Sequence, residues 1–551
     1  MSYRGLLACL VLSSAAARGQ TLLMELQGPQ LSSAFGQSVA VVGDLDGDGL
    51  PEIAVGAPFD GVPEPYTAAD DGYAGSMQVL SGADGTPLFG FTGSEASELL
   101  GWTVRAAGDV DGDGTPDVAV GAPNAGGWRG RVVVLSGVDG APVLQVWGAA
   151  AGERFGWCIA PLGDLNGDGH DDLAVGAFEH KQVIGGEGAL RLVSGATGGE
   201  LLVLVGAAPW DHFGSAVAVP GDLDLDGTVD LVVSAEMDDV PGQEDAGSVT
   251  FFSGASGDEL VSLDGSVFLD AFGAALAPAG DMTGDGVPDV LISATGSDAA
   301  SFDGGKVQLV SGASGAVART FLPTAYYFHF GTSLCTVGDM DEDGVLDVAV
   351  GAPQKITPTE FLAGRVSLFS GATALLIDTL DGVTPFGLFG TALASGDLDG
   401  DGSIDLVVGE PNEGADPYGP GLVGIYSGDA WVALGAGSPG STGTPEFLAD
   451  GDPVPGQEVS LALEGALPGA PAVLIAGTSK VMQPLKGGTL VPFPSWFSPV
   501  VTVGANGSLA LAGPWPPGAP SGMVFYFQWW VLDPSAPQGW ASSEGLQVEV
   551  P

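Results

Sequence analysis

Hydrophobic positions along the chain fall in short runs of four to seven residues, each closed by Gly, Asp or Pro. One group runs over residues 103–107, 118–120, 131–135 and 142–147, with an acidic turn after its first run and Ser136-Gly137 after its third. Runs this short and this rich in β-branched and aromatic residues predict strands, since a helix needs ten or more residues to present one apolar face. The group recurs. Acidic turns begin at Asp44, Asp109, Asp164, Asp222, Asp281, Asp339 and Asp397, a period of about 58 residues. Phe-Gly lies ahead of the turn at Phe35, Phe155, Phe213, Phe272, Phe330 and Phe389, with Leu100-Gly101 in the second unit. Ser-Gly follows the third run at Ser81, Ser136, Ser194, Ser253, Ser311, Ser370 and Ser427. Three markers in one phase predict seven four-stranded units and an all-β chain.

Seven such sheets set radially bury their faces against one another, and closing the ring removes exposed strand edges. The expected fold is therefore a seven-bladed β-propeller over residues 20–434. In it the Phe of Phe-Gly is a wedge between blades and the Gly a point of close backbone approach. Residues 22–26 resemble a fourth strand but precede the first unit, which predicts that they pair with the seventh and close the ring.

The turns read Asp-x-Asp-x-Asp-Gly-x-x-Asp. Side chains at positions 1, 3, 5 and 9 converge, the Gly at position 6 permits the bend, and position 7 offers a carbonyl. An all-oxygen set of six to eight ligands is what hard Ca²⁺ prefers. The candidate ligands are Asp44, Asp46, Asp48 and Glu52; Asp109, Asp111, Asp113 and Asp117; Asp164, Asn166, Asp168 and Asp172; and Asp222, Asp224, Asp226 and Asp230. The last three units supply Asp281, Thr283, Asp285 and Asp289; Asp339, Asp341, Asp343 and Asp347; and Asp397, Asp399, Asp401 and Asp405. Up to seven structural Ca²⁺ ions are expected, with the fifth loop weakest in charge because Thr283 holds position 3.

Phe-Gly, the acidic loop and Gly-Ala-Pro at Gly56-Ala57-Pro58, Gly121-Ala122-Pro123 and Gly351-Ala352-Pro353 resemble the FG-GAP repeats of the integrin alpha-chain N-terminal propeller, here in a secreted bacterial form. The resemblance covers roughly residues 21–433. It implies Ca²⁺ between the first two strands of a blade. Ser234-Ala-Glu and Ser293-Ala-Thr depart from the third motif, which bears on blade packing more than on metal.

Charge sharpens this picture. The chain has 68 acidic and 14 basic residues, a formal charge of -54. The candidate ligands other than Asn166 and Thr283 account for 26 of the acids. Such a balance argues against nucleic acid or an anionic membrane surface as partner. Residues 1–19 read as a signal peptide, with Arg4, an apolar stretch from Leu6 to Leu12, and small residues before a cleavage site. The chain is thus expected to be secreted, extracellular or on the cell surface, a monomer with no membrane span. Leu6-Leu7-Ala8-Cys9 resembles a lipobox, but only five residues precede it, so lipid anchoring is disfavoured. Cys158 and Cys335 are expected as buried free thiols.

After Trp431 the repeat stops. Residues 435–449 read as a Gly/Ser/Pro linker, and 450–551 as a small β-sandwich-like domain with strands near 458–463, 472–476, 500–503, 523–532 and 546–550. Its stretch Phe525-Tyr-Phe-Gln-Trp529-Trp530 resembles a terminal module found behind repeats in exported bacterial proteins. If this stretch is a strand, Trp529 and Trp530 face opposite ways, one to the core and one outward.

No catalytic constellation emerges. His170, His180, His212 and His329 show no zinc spacing, and no nucleophile elbow is present. In a meander, the connections after strands 2 and 4 share the face opposite the acidic loops. That face carries Trp128, Arg129, His180, Trp210, Tyr326 and Tyr327 as candidate ligand-binding residues, since aromatics beside polar groups suit sugars or a protein surface. The favoured reading is a non-enzymatic recognition or adhesion module for an extracellular protein or glycan. A carbohydrate-active enzyme or lectin using the same face, and a purely architectural surface protein, are the alternatives.

Overall fold

In each repeat the second strand decides the packing. Glu52–Ala57, Asp117–Ala122, Asp172–Ala177, Asp230–Ala235, Asp289–Ala294, Asp347–Ala352 and Asp405–Glu410 are buried at every residue. A strand covered on both faces reads as continuous Val, Ala, Leu and Ile rather than alternating. The fourth strands alternate instead, as in Pro87–Thr92, because one face meets solvent. The computed structural model describes residues 22–549 apart from 31–32, 62–72, 180–185, 300–303, 324–328, 342, 356–361, 413–418, 429–430, 434–444 and 451–457. In the C-terminal part, residues 479, 486–487, 493–495, 499, 505–506, 516–522 and 537–539 are also outside the description.

Seven four-stranded antiparallel sheets form the blades of a β-propeller among these residues. Blade 2 is typical: Thr103–Gly108, Asp117–Ala122, Arg131–Leu135 and Pro142–Trp147 pair in sequence order. Blade 7 takes three strands from its own repeat and its fourth from Leu22–Gln27, which lies beside Leu422–Tyr426. This is the predicted clasp. Gly28 N donating to Gly421 O at 3.0 Å continues the pairing past the strand end.

The Phe-Gly motif works as a wedge. Phe35, Phe155, Phe330 and Phe389 are at most 1% exposed, and Leu100 fills the same role at 0%. The residue before each carries a left-handed φ between 50° and 60°: Ala34, Leu99, Arg154, His212, Ala271, His329 and Leu388. Non-glycine residues adopt this conformation only where surroundings enforce it. Here it turns the chain from the outer strand of one blade into the inner strand of the next. Gly56 of the third motif is equally constrained, since a Cβ there would lie 2.0 Å from Gly101 O. Where Ser234 and Ser293 replace that Gly, their Oγ atoms accept hydrogen bonds from Ala216 N and Ala275 N. The register shifts locally, between Phe213 and Val217 and between Phe272 and Leu276.

The chain divides into a unit of Met24–Tyr426 and a second of Ser427–Pro551 with the residues up to Leu23. That boundary lies ahead of the expected one at 434: Trp431–Ala433 already pairs with Trp540–Glu549 of the C-terminal unit. Glu446–Asp450, in the stretch read as linker, is a strand paired with Glu458–Glu464. A Gly/Pro-rich composition masked a five-residue strand. One core joins Phe447 and Leu463 of a three-stranded sheet to Leu474, Trp529 and Val531 of a larger one. Both tryptophans are buried, Trp529 at 0% and Trp530 at 3% exposure, so neither forms an outward platform. Trp530 packs on Ile475 and donates from Nε1 to Gln528 Oε1 at 3.0 Å.

Candidate metal centres

Each acidic loop joins the first two strands of a blade, and its frame is built by its own carboxylates. In blade 1, Asp44 Oδ1 accepts from Gly47 N at 2.7 Å and Oδ2 from Gly49 N at 3.0 Å. Position 1 does the same in the other blades, as Asp164 Oδ2 accepting from Gly169 N and Asp281 Oδ2 from Gly286 N, both at 2.9 Å, show. Left-handed Gly47 and Gly49 allow the bend. The backbone therefore gathers the acids whether or not every position is acidic.

Position 9 opens the fully buried second strand, and its carboxylate ties three segments together. Asp117 Oδ2 accepts from Val110 N at 2.8 Å and Asp111 N at 3.2 Å, while Oδ1 accepts from Gly137 N at 3.0 Å. Asp172, Asp230, Asp289 and Asp347 make the equivalent bond to Gly195, Gly254, Gly312 and Gly371. This explains the Ser-Gly motif, which sequence reasoning had used only as a phase marker. Its Gly supplies the N–H that holds the loop to the third strand.

Five loops bring carboxylate oxygens within 4.8 Å of one another: Asp44, Asp46, Asp48 and Glu52; Asp109, Asp111 and Asp117; Asp222, Asp224 and Asp230; Asp339, Asp341 and Asp347; and Asp397, Asp399 and Asp405. Oxygens on opposite sides of one Ca²⁺ are separated by about 4.8 Å, twice a Ca–O distance of ~2.4 Å. These clusters can hold a metal ion. Two oxygens support the fit: Glu52 Oε1 and Asp399 Oδ2 are buried without a hydrogen-bond partner among the described residues. The fit is looser at position 5. Asp113, Asp226, Asp343 and Asp401 lie outside the clusters, and each accepts a bond from the N–H two residues on. Blades 3 and 5 keep the loop frame, but Asn166 and Thr283 leave them one acid short. Thr283 Oγ1 turns inward to donate to Asp289 Oδ1 at 3.2 Å.

Crowding and burial show in the titration of these groups. Burial, opposed by the Leu45 N–H and reinforced by neighbouring aspartates, pushes Glu52 up to about 7. Burial likewise raises Asp117, Asp347 and Asp399 to about 6. A carboxyl whose folded pKa exceeds its unfolded value stabilises the fold fully below the unfolded pKa, near 4, and loses that contribution as pH rises through the folded value. In chelator, therefore, the melting temperature is expected to fall between pH 5 and pH 7.5. Saturating Ca²⁺ should flatten or reverse the trend, because the ion takes the place of the proton. A chelated protein more stable at pH 7.5 than at pH 5 would contradict this.

The opposite face is assembled from the connections after strands 2 and 4, which meet through backbone bonds such as Asn124 N to Glu98 O and Met237 N to Asp211 O, both at 3.2 Å. Buried ion pairs lie beneath it: Arg131 with Glu98, Arg191 with Glu153, and Lys306 with Asp270, at 2.9, 3.0 and 2.9 Å. Of the sequence-predicted ligand residues, Trp128 is 48% and Trp210 59% exposed. Arg154 lies over the Trp128 ring at 5.2 Å. Arg129 is half-buried, donates to Gly148 O and lies over the Trp147 ring. His180, Tyr326 and Tyr327 lie outside the described residues. Phe268 and Leu269, at 51% and 47% exposure, join the face though no motif marked them. Cys335, in an inner strand, and Cys158, just ahead of one, are free and half-buried, and burial raises both thiols to about 12.

A ring of seven four-stranded blades, each with an acidic loop between its first two strands, defines a β-propeller built from repeated loop-bearing units. Five of its units match the family described as "FG-GAP repeat", over residues 35–80, 100–135, 155–189, 330–369 and 389–426. The two units left outside are those in which Ser234 and Ser293 replace the motif Gly. The chain is similar to integrin alpha-4 of Xenopus laevis, 34% identical over 29% of this chain and 16% of that protein. It is similar also to integrin alpha-PS2 of Drosophila melanogaster, 30% identical over 38% of this chain and 16% of that one. Integrin alpha-V of Gallus gallus is 32% identical over 36% and 20%. The match thus spans a fifth or less of each relative. A solved structure titled "Structure of Dos1 propeller" aligns with 74% of this chain and 96% of that one, at 10% identity and a TM-score of 0.41. Among the described residues no helix is long and apolar enough to cross a membrane.

Proposed function

We propose that the chain is a secreted, calcium-stabilised recognition module, in which the acidic loops hold structural Ca²⁺ and the opposite face binds an extracellular protein or glycan. The observation that carries this is the division of labour between the two faces. One gathers carboxylates into loops closed on themselves. The other displays Trp128, Trp210, Phe268 and Leu269, aromatic and apolar side chains of the kind enriched at binding surfaces. Trp210 and Leu269 sit on left-handed backbone, φ 77° and 60°, which holds them outward at a cost to stability. Ca²⁺ is the ion of choice because the ligands are all oxygen. The likeness to integrin alpha chains supports adhesion as the form of recognition. The same likeness favours a binder over an enzyme.

Purified extracellular proteins and a glycan array, screened in calcium buffer, test this. A ligand found with the wild type should bind at least tenfold more weakly to a Trp128→Ala, Trp210→Ala double variant whose melting temperature is unchanged. Binding that ignores the tryptophans but is lost in Asp111→Ala at equal stability would overturn the proposal. Depolymerisation of an arrayed polysaccharide would replace it with the enzyme reading.

A further inference from the structure

The inner strands of all seven blades enclose an axial channel, seen as two overlapping cavities of about 480 and 390 Å³. Its lining is small, apolar or neutral, with one exception. Arg105, in the first strand of blade 2, lines both cavities and among the described residues is the only charged one along either. At the equivalent position the other blades carry Ala40, Ala160, Ala218, Ala277, Cys335 and Ala394. Six short side chains thus leave room for one long cation.

In a chain of net charge -54, the described cations deep in the blades are paired with carboxylates, as Arg131, Arg191 and Lys306 are. Arg105 is not. Its Nη1 donates to Val104 O at 2.8 Å and, weakly, to Ser38 Oγ at 3.4 Å, and among the described residues no carboxylate lies in ion-pair range. Its side chain is exposed to the water of the channel, so the guanidinium is open to an incoming anion. Nε and Nη2 make no hydrogen bond among the described residues, and a guanidinium fork suits a planar two-oxygen anion.

We propose that the channel is a binding site for a carboxylate, held by Arg105. Entry is from the end of the Phe-Gly motifs. There the cavity is lined by neutral residues such as Gln37, Trp102 and Trp157, whereas at the other end the acidic loops repel anions. The carboxylate belongs either to a small free molecule or to an aspartate or glutamate side chain of a partner. The site does not depend on the recognition face proposed above.

Chloride-35 NMR in calcium buffer tests it, with chloride as the reporter anion. The wild type should broaden the chloride line, and acetate should reverse the broadening. Arg105→Gln should lose more than half of it, and Arg105→Lys should retain most of it, both at an unchanged melting temperature. Equal broadening by the wild type and Arg105→Gln, or no broadening reversible by acetate, would overturn the proposal; if Arg105→Gln does not fold, the Arg105→Lys and acetate results decide. A blocked tripeptide with one aspartate that displaces chloride at tenfold lower concentration than acetate assigns the site to a partner's side chain. Equal potency assigns it to a free carboxylate.

Discussion

Chelating divalent cations is expected to lower the melting temperature by about 7–20 °C. Five loops hold three or four carboxylate oxygens within 4.8 Å of one another, and nothing in the loops but backbone N–H groups offsets their repulsion. A site with a Kd of about 0.1 mM, within the extracellular range, contributes roughly 1.4 kcal/mol at 1 mM Ca²⁺. Five to seven such sites supply about 7–10 kcal/mol, comparable to the stability of a whole domain. For a unit of this size each kcal/mol moves the midpoint by roughly 1–2 °C, extrapolating from smaller domains. Differential scanning calorimetry with and without chelator reads the shift. An unchanged midpoint would mean that the loops are merely solvated acidic turns.

Asp117→Ala is expected to cost about 3–5 kcal/mol in chelator, and more in calcium, where a metal ligand is lost as well. The carboxylate is fully buried and accepts from Val110 N, Asp111 N and Gly137 N. Bonds to a charged acceptor contribute about 1.5–3 kcal/mol each, less than additively, and their loss strands buried donors. Asp111→Ala is the control. Its half-buried side chain accepts one local bond, from Asp113 N at 3.1 Å, and is otherwise turned to the cluster. Its cost should be measurable in calcium and vanish in chelator. Urea unfolding of both variants in both buffers separates the roles; if the Asp117 cost also vanished in chelator, position 9 would be a ligand and not a staple.

Much of this was legible in the sequence because a repeat multiplies weak signals. One Asp-rich turn predicts little, but seven in phase with Phe-Gly and Ser-Gly fix the blade, its strand order and the clasp at Leu22–Gln27. What was not legible depends on contacts between repeats rather than within them. That Asp117 reaches Gly137 is a packing fact, invisible in a motif until the third strand lies beside the loop. The Trp529-Trp530 alternation was read from period 2, yet both faces of that strand are covered, which a strand's own pattern cannot reveal. Arg105 did leave a trace: it is the only charged residue in the seven first strands. Its meaning needed the channel.

The account turns on the acidic loops being occupied by calcium. At equilibrium dialysis against about 1 mM Ca²⁺ in excess monovalent salt, the excess of calcium on the protein side over the free ion, measured by mass spectrometry of both compartments, counts the metal bound per chain. Five to seven calcium ions per chain are predicted, falling by one in Asp111→Ala. One ion or none would contradict it.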